Sequence, residues 1–226
     1  MGHPGQRRLG ASASSAHERC ETRQTTRDKE TARKEDMVFG TRRGFVSGRR
    51  GLQLRLEGNE AAVLAELLTQ LEAMVEPVEP DGSHPLEELL RTSEPQRPDD
   101  PALLRLFPDG YLDDPEAAGE FRRFTERGLR EQKHGRLTTA TELLSTIPSG
   151  DQVHDVAVSP DQAEAFLGVL NDLRLVLGVR LGIVSDDQDV TEDWADDDPR
   201  VATFAAYQWL TWLQASLLDV MATGRR

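Results

Sequence analysis

A chain of 226 residues with 37% hydrophobic content has room for one substantial soluble domain plus tails. Its net charge of −13, from 27 basic and 40 acidic residues, works against a surface built wholly for nucleic acid, because phosphates would be repelled. The lone cysteine, Cys20, excludes an intrachain disulfide or a two-cysteine metal site and fits a reducing cytoplasm.

Residues 1–36 hold no Val, Ile, Phe, Trp or Tyr, so they cannot bury enough surface to offset ordering entropy. They read as a disordered tail, or as an overlong gene start with the true beginning near Met37. The tail also lacks the apolar stretch of an export signal, and Arg174 and Arg180 interrupt the longest apolar runs further on. Neither export nor a membrane span is expected, which places the protein in the cytoplasm. Residues 37–226 read as a single globular domain. It is more acidic than the whole, with 19 basic against 34 acidic residues.

From Phe39 the pattern is strand-like. Phe45 to Ser47, a turn at Gly48-Arg49-Arg50-Gly51, then Leu52, Leu54 and Leu56 alternating with Gln53 and Arg55 predict a hairpin with one buried face. A helix follows from about Asn59 to Val75, with Leu64, Leu67, Leu68 and Leu71 inward. Six of the twelve prolines fall between Glu76 and Pro101, a connection (76–101) that admits only a short helix at Leu86 to Leu90. Asp113-Asp114-Pro115-Glu116 is an acidic cap with proline in the first turn, and the helix it opens runs to about Leu144, with Gly128 and Gly135 as weak points.

Val153, Val156 and Val158 suggest a third strand. Ser159-Pro160-Asp161-Gln162 then has the spacing of a capping box and opens a helix with two distinct faces. Ala163, Phe166, Leu170, Leu173, Leu177 and Leu181 make an ordinary core stripe. Glu164, Gly168, Asn171, Leu175, Gly178 and Gly182 make the other. Each interior glycine costs roughly 1 kcal/mol relative to alanine, so something is expected to pack close against that side. The last helix, from Asp198-Pro199 to about Met221, is the expected neighbour. It carries the stripe Ala206, Leu210, Leu213, Leu217 and Met221, with Phe204, Tyr207 and Leu218 roughly opposite. A second copy of the chain on the glycine face, making a homodimer, is the competing reading. Two segments, from Leu54 and from Val156, share a strand, polar cap and helix pattern, which suggests two strands of one sheet each feeding a core helix.

No catalytic, metal or cofactor constellation emerges. His3, His17, His84, His134 and His154 are scattered, no phosphate-binding glycine motif is present, and the acidic loop Ser185 to Asp198 fails the calcium-loop pattern, holding Glu192 where glycine is required. An enzyme remains an alternative only with a site assembled near the proline-rich connection. The helix after Pro115 has a local excess of positive charge, with Arg122, Arg123, Arg127, Arg130, Lys133 and Arg136 against Glu126 and Glu131. Three readings compete for it: a contact to DNA phosphates through residues 121–136, a dock for an acidic protein segment, and internal complementarity with the acidic loop.

Three segments, DPALLRLFPDGYLDDPEAAGEFRRFTE from Asp100, LNDLRLVLGVRLGI from Leu170 and YQWLTWLQ from Tyr207, together resemble an actinobacterial domain-of-unknown-function family. That family includes oxidative-stress transcriptional regulators, the AosR group, and its members are commonly encoded near a proteolytic adaptor. The resemblance spans roughly Val38 to Val220. It implies a non-enzymatic regulator acting through protein contacts, with a sigma factor, RNA polymerase or protease machinery as partner, and DNA not favoured by the net charge. The motif positions implied as a contact surface are Asp109, Tyr111, Arg122, Arg123, Asn171, Asp172, Arg174, Tyr207 and Trp209, with Arg174 expected in a partly buried ion pair. Redox sensing by a cysteine pair within one chain is excluded by the single Cys20. The expected fold is α+β and mainly helical, a small antiparallel sheet of about three strands packed on three long helices.

Overall fold

A computed structural model describes residues 43–49, 51–76, 97–185, 190–191, 194–195 and 197–224. The tail 1–36, residues 77–96 with the helix expected at Leu86 to Leu90, and much of the acidic loop lie outside the described residues. Every element described here belongs to one unit, Gly44–Arg226.

The hairpin forms as the alternation requires. Strand β1 (Gly44–Gly48) pairs antiparallel with β2 (Gly51–Glu57), closing at Gly48↔Gly51, where Gly51 takes φ +108. Strand β3 (Val153–Ala157) joins the other side of β2, so the order is β1-β2-β3. The register sets Phe45, Leu54 and Val156 in one row across the sheet, and Phe45 and Leu54 are buried. Arg55 and Asp155 pair on the opposite, solvent side at 2.6 Å.

Five helices complete the described fold: α1 (Gly58–Val75), α2 (Pro101–Leu106), α3 (Pro115–Leu144), α4 (Pro160–Leu181) and α5 (Arg200–Thr223). Helix α3 starts where the acidic cap predicts, Asp114 accepting from the Ala117 amide, and the expected weak points Gly128 and Gly135 leave it unbroken over 30 residues. Helix α4 opens on the capping box, with Ser159 and Gln162 each accepting from the other's backbone amide. Helix α2 was not expected. Asp100 caps it and Pro101 occupies its first turn, a cue masked in sequence by the prolines that precede it.

Helix α4 is the centre of the molecule, packing on α5, α3, α2 and α1. Its second face is real but differs from the glycine row. Besides the stripe Ala163, Phe166, Leu170, Leu173 and Leu181, it buries Ala165, Val169, Asp172 and Val176, spaced four, three and four apart. The glycines divide their roles. A Cβ at Gly168 would lie 2.8 Å from Cδ of Arg136 on α3, so this glycine seats an arginine stem. Gly178 does face α5, with Tyr207 Cε2 3.7 Å from where its Cβ would be. Gly182 lies past the helix as its left-handed cap, φ +72, the Ile183 amide donating to the Gly178 carbonyl at 2.9 Å.

Helix α5 turns Leu210, Leu213 and Leu217 fully inward, and each such leucine contributes about 1.5–3 kcal/mol of burial. Its other edge grips the sheet. Ser216 Oγ accepts from the Phe45 amide at 3.1 Å, and Trp212 lies so close to Gly44, at φ +83, that a side chain there would collide. None of the described helices is long and apolar enough to cross a membrane.

Candidate functional site

Three of the six Arg and Lys side chains between Phe121 and Arg136 on α3 are spent inside the fold. Arg122, only 4% exposed, donates to Asp109 at 2.7 Å, to Glu126 at 2.9 Å and to the Phe107 carbonyl at 3.1 Å. Burial pulls the Arg122 guanidinium toward neutrality, but the hydrogen bonds with Asp109 and Glu126 outweigh it and hold the proton more firmly than usual. Arg130 also binds Glu126, lies 4.5 Å over the Phe107 ring, and donates to the Glu76 carbonyl just past the end of α1 at 3.3 Å. Lys133 meets Asp172 of α4 at 2.7 Å, with both side chains nearly enclosed. Internal complementarity is therefore correct for Arg122, Arg130 and Lys133, and among the described residues Asp109, Glu126 and Asp172 supply it. Asp109 also accepts from Arg97 at 2.8 Å, and the two arginines hold its carboxyl below the usual range.

A second cluster forms along the groove between α4 and α5. Phe204, Tyr207, Thr211 and Gln214 recur at spacings of three, four and three, so they share one edge of α5 beside its core stripe. Phe204 stacks on Tyr207 with centroids 6.4 Å apart, and Trp194 meets Phe204 edge-on at 5.8 Å. Each end carries a cation: Arg200 lies 4.7 Å over Trp194, and Arg174 lies 5.6 Å from the Tyr207 ring. The result is a half-buried ladder, Arg200, Trp194, Phe204, Tyr207, Arg174. Thr191, Trp194, Ala195, Val201 and Phe204 line a hollow of about 240 Å³ at its upper end.

Among the described residues Arg174 does not form the ion pair expected of it. Its Nε donates to Thr211 Oγ1 at 2.9 Å and its Nη1 to Gln214 Oε1, and no carboxylate among the described residues pairs with it. Two neutral acceptors fix the side chain without cancelling its charge. That leaves an oriented guanidinium beside an aromatic face, an arrangement suited to an anionic or aromatic group.

The nine positions expected to form one contact surface divide among several places. Asp109 and Arg122 meet in the buried network, where exposed Tyr111 packs edge-on against Phe121 at 6.2 Å. Arg123 is exposed and lies over Phe124. Asp172 is buried against Lys133, and Trp209 is buried on α5 away from the ladder edge. Arg174 and Tyr207 come together, with exposed Asn171 one turn before Arg174 on α4. Trp194, Phe204, Thr211 and Gln214 were missing from that set. The apolar side of Phe204 and Tyr207 was visible in sequence, but nothing in the spacing showed that a residue outside the helix, Trp194, would fold onto it.

These features define a mainly helical α+β domain whose central helix is tied to α3 by one buried ion pair and flanked by a cation-capped aromatic surface. The chain belongs to the family Domain of unknown function (DUF2017), which matches residues 42–221. It is 34% identical over 185 residues to the oxidative stress regulator AosR of Mycobacterium tuberculosis, and equally to that of Mycobacterium bovis, covering 75% of this chain and 82% of each relative. A similar protein of Mycobacterium leprae is 35% identical over 181 residues, covering 73% of this chain and 80% of its own length. No solved structure matches the chain.

Proposed function

We propose that the protein is a non-enzymatic regulator of the oxidative-stress response that acts by binding another protein through the aromatic ladder between α4 and α5. Relatives at 34% identity over most of their length carry the name oxidative stress regulator, which supports the regulatory part. The ladder supports the rest: Trp, Tyr and Arg dominate the energetically decisive positions of protein interfaces, and here they are half-buried, pre-ordered and next to a hollow. A partner segment would place an apolar side chain in that hollow and a carboxylate on Arg174. The transcription machinery, through a sigma factor or RNA polymerase, is the partner class this reading favours, ahead of protease components. Direct DNA contact through α3 is the weaker reading, since Arg122, Arg130 and Lys133 already hold carboxylates within the fold.

The test uses a strain lacking the native gene, complemented with wild type, Phe204→Ser or Arg174→Met, and compares peroxide-induced transcripts and co-purified transcription proteins. Both variants should fold, by circular dichroism, and lose the partner and the transcript response. A folded double variant that keeps both would remove the ladder from the function.

A further inference from the structure

The outer face of α3 carries apolar surface that Tyr111 and Arg123 cover only in part. Phe124 is 74% exposed and Phe121 is 41% exposed. Beyond them on the same side stand Gly128 and Gly135, and among the described residues a Cβ added at either would meet nothing within 4 Å. Two glycines inside a 30-residue helix weaken it by roughly 1 kcal/mol each relative to alanine, with no close neighbour in the described fold to require them. Residues 124, 128, 131 and 135 recur at four, three and four, the seam of a two-helix contact. Glu131 lies in that seam and Arg127 at its border, both exposed and paired with each other at 3.1 Å.

We propose that this face is a self-association surface, on which α3 of a second copy lies antiparallel, centred at Leu129. That register sets Arg127 opposite Glu131 of the second copy and Phe124 beside its Gly135. The two-fold axis repeats each contact, giving two ion pairs and two rings seated in glycine notches. The self-complementary charge order selects a second copy over an unrelated helix, because a basic residue and an acidic residue four apart are matched by the same pair reversed. The glycines let the helix axes approach, and the crossing angle then separates the helices beyond these three turns. Arg122, Arg130 and Lys133 face inward and are not consumed, so the contact leaves the buried network intact.

Three turns of helix bury much less than the roughly 800 Å² per partner of a stable dimer, so association should be reversible, with Kd on the order of 10–100 µM. Sedimentation equilibrium on the full chain, from about 5 to about 500 µM, should show a monomer–dimer equilibrium. Gly135→Leu should keep the fold and thermal midpoint, since it removes a helix-weakening glycine into open space, yet weaken dimerisation at least about tenfold. Arg127→Glu and Glu131→Arg should each weaken self-association, and mixing the two variants should restore it as a heterodimer. Only a pair formed between copies gives that rescue. A wild-type monomer across the whole range, or an equimolar mixture no more associated than either variant alone, would overturn the proposal.

Discussion

The Lys133–Asp172 pair ties α3 to α4 across the centre of the domain, and its removal has a calculable cost. The contact is 2.7 Å long, with the side chains 11% and 7% exposed. In Asp172→Ala the ammonium keeps, among the described residues, only the Phe107 ring, 5.8 Å away. Removing one member of a buried ion pair costs about 3–5 kcal/mol, because the remaining charge stays desolvated. The flexible lysine stem can carry part of that charge toward water, which lowers the expectation to about 2–3 kcal/mol. For a domain of this size that is a fall in Tm of about 5–10 °C. Replacing both residues with apolar groups, Lys133→Met with Asp172→Leu, should recover to within about 1 kcal/mol of wild type, since neither charge is then buried. Urea unfolding followed by circular dichroism measures the cycle of wild type, Lys133→Met, Asp172→Leu and the double variant, with Asp172→Ala beside it. A cost below about 1 kcal/mol for Asp172→Ala, or a double variant as unstable as the two single losses added, would refute the assignment of a buried, mutually dependent pair.

Gly58→Ala should destabilise by about 1–3 kcal/mol or more, because its Cβ would fall 2.0 Å from the Pro148 carbonyl oxygen, backbone that cannot swing away. Gly168→Ala meets only the flexible Arg136 stem, and its unfolding midpoint should move far less. Gly178→Leu should lower thermal stability without changing the mass in sedimentation, since Tyr207 of the same chain occupies that side; a shift from dimer to monomer with the fold intact would contradict this. Ser159→Ala should cost about 1 kcal/mol through loss of the α4 cap, read from the urea midpoint. Asp109, held below its usual pKa by Arg97 and Arg122, stabilises the fold at pH values above the ordinary carboxylate range. That contribution disappears as the pH falls through its lowered folded value, so the stability gap between wild type and Asp109→Asn should be constant from about pH 5 to 7 and close below about pH 4. A gap that persists into strong acid would argue against it.

Local chemistry made most of the elements legible. The alternation around Gly48–Gly51, the Asp114-Pro115 start of α3 and the Ser159–Gln162 box each satisfy backbone groups within a few residues, so their outcome depends little on the rest of the chain. The two strand-to-helix units suggested by the echo between Leu54 and Val156 are indeed β2–α1 and β3–α4. The site was harder to read. Nine motif positions looked equivalent in sequence, yet Arg122 and Asp172 are buried in ion pairs while Arg174 and Tyr207 line a surface. Side-chain type alone cannot distinguish these, because a long cation serves equally well as an internal strut or an exposed contact until its neighbours are placed.

Composition, capping and periodicity by themselves determined the helical α+β class, the hairpin and where α3 and α4 begin. Tertiary structure alone decided the partners: that Asp109, Glu126 and Asp172 absorb the positive charge of α3, that Trp194 closes a ladder with Phe204 and Tyr207, and that Gly168, Gly178 and Gly182 serve three different purposes. The division follows the range of the forces. Hydrogen-bonded caps and hydrophobic period act over a turn or two of chain. Ion pairs and ring contacts join residues that can lie 100 positions apart, as Arg55 and Asp155 do, and their meeting depends on how the elements pack.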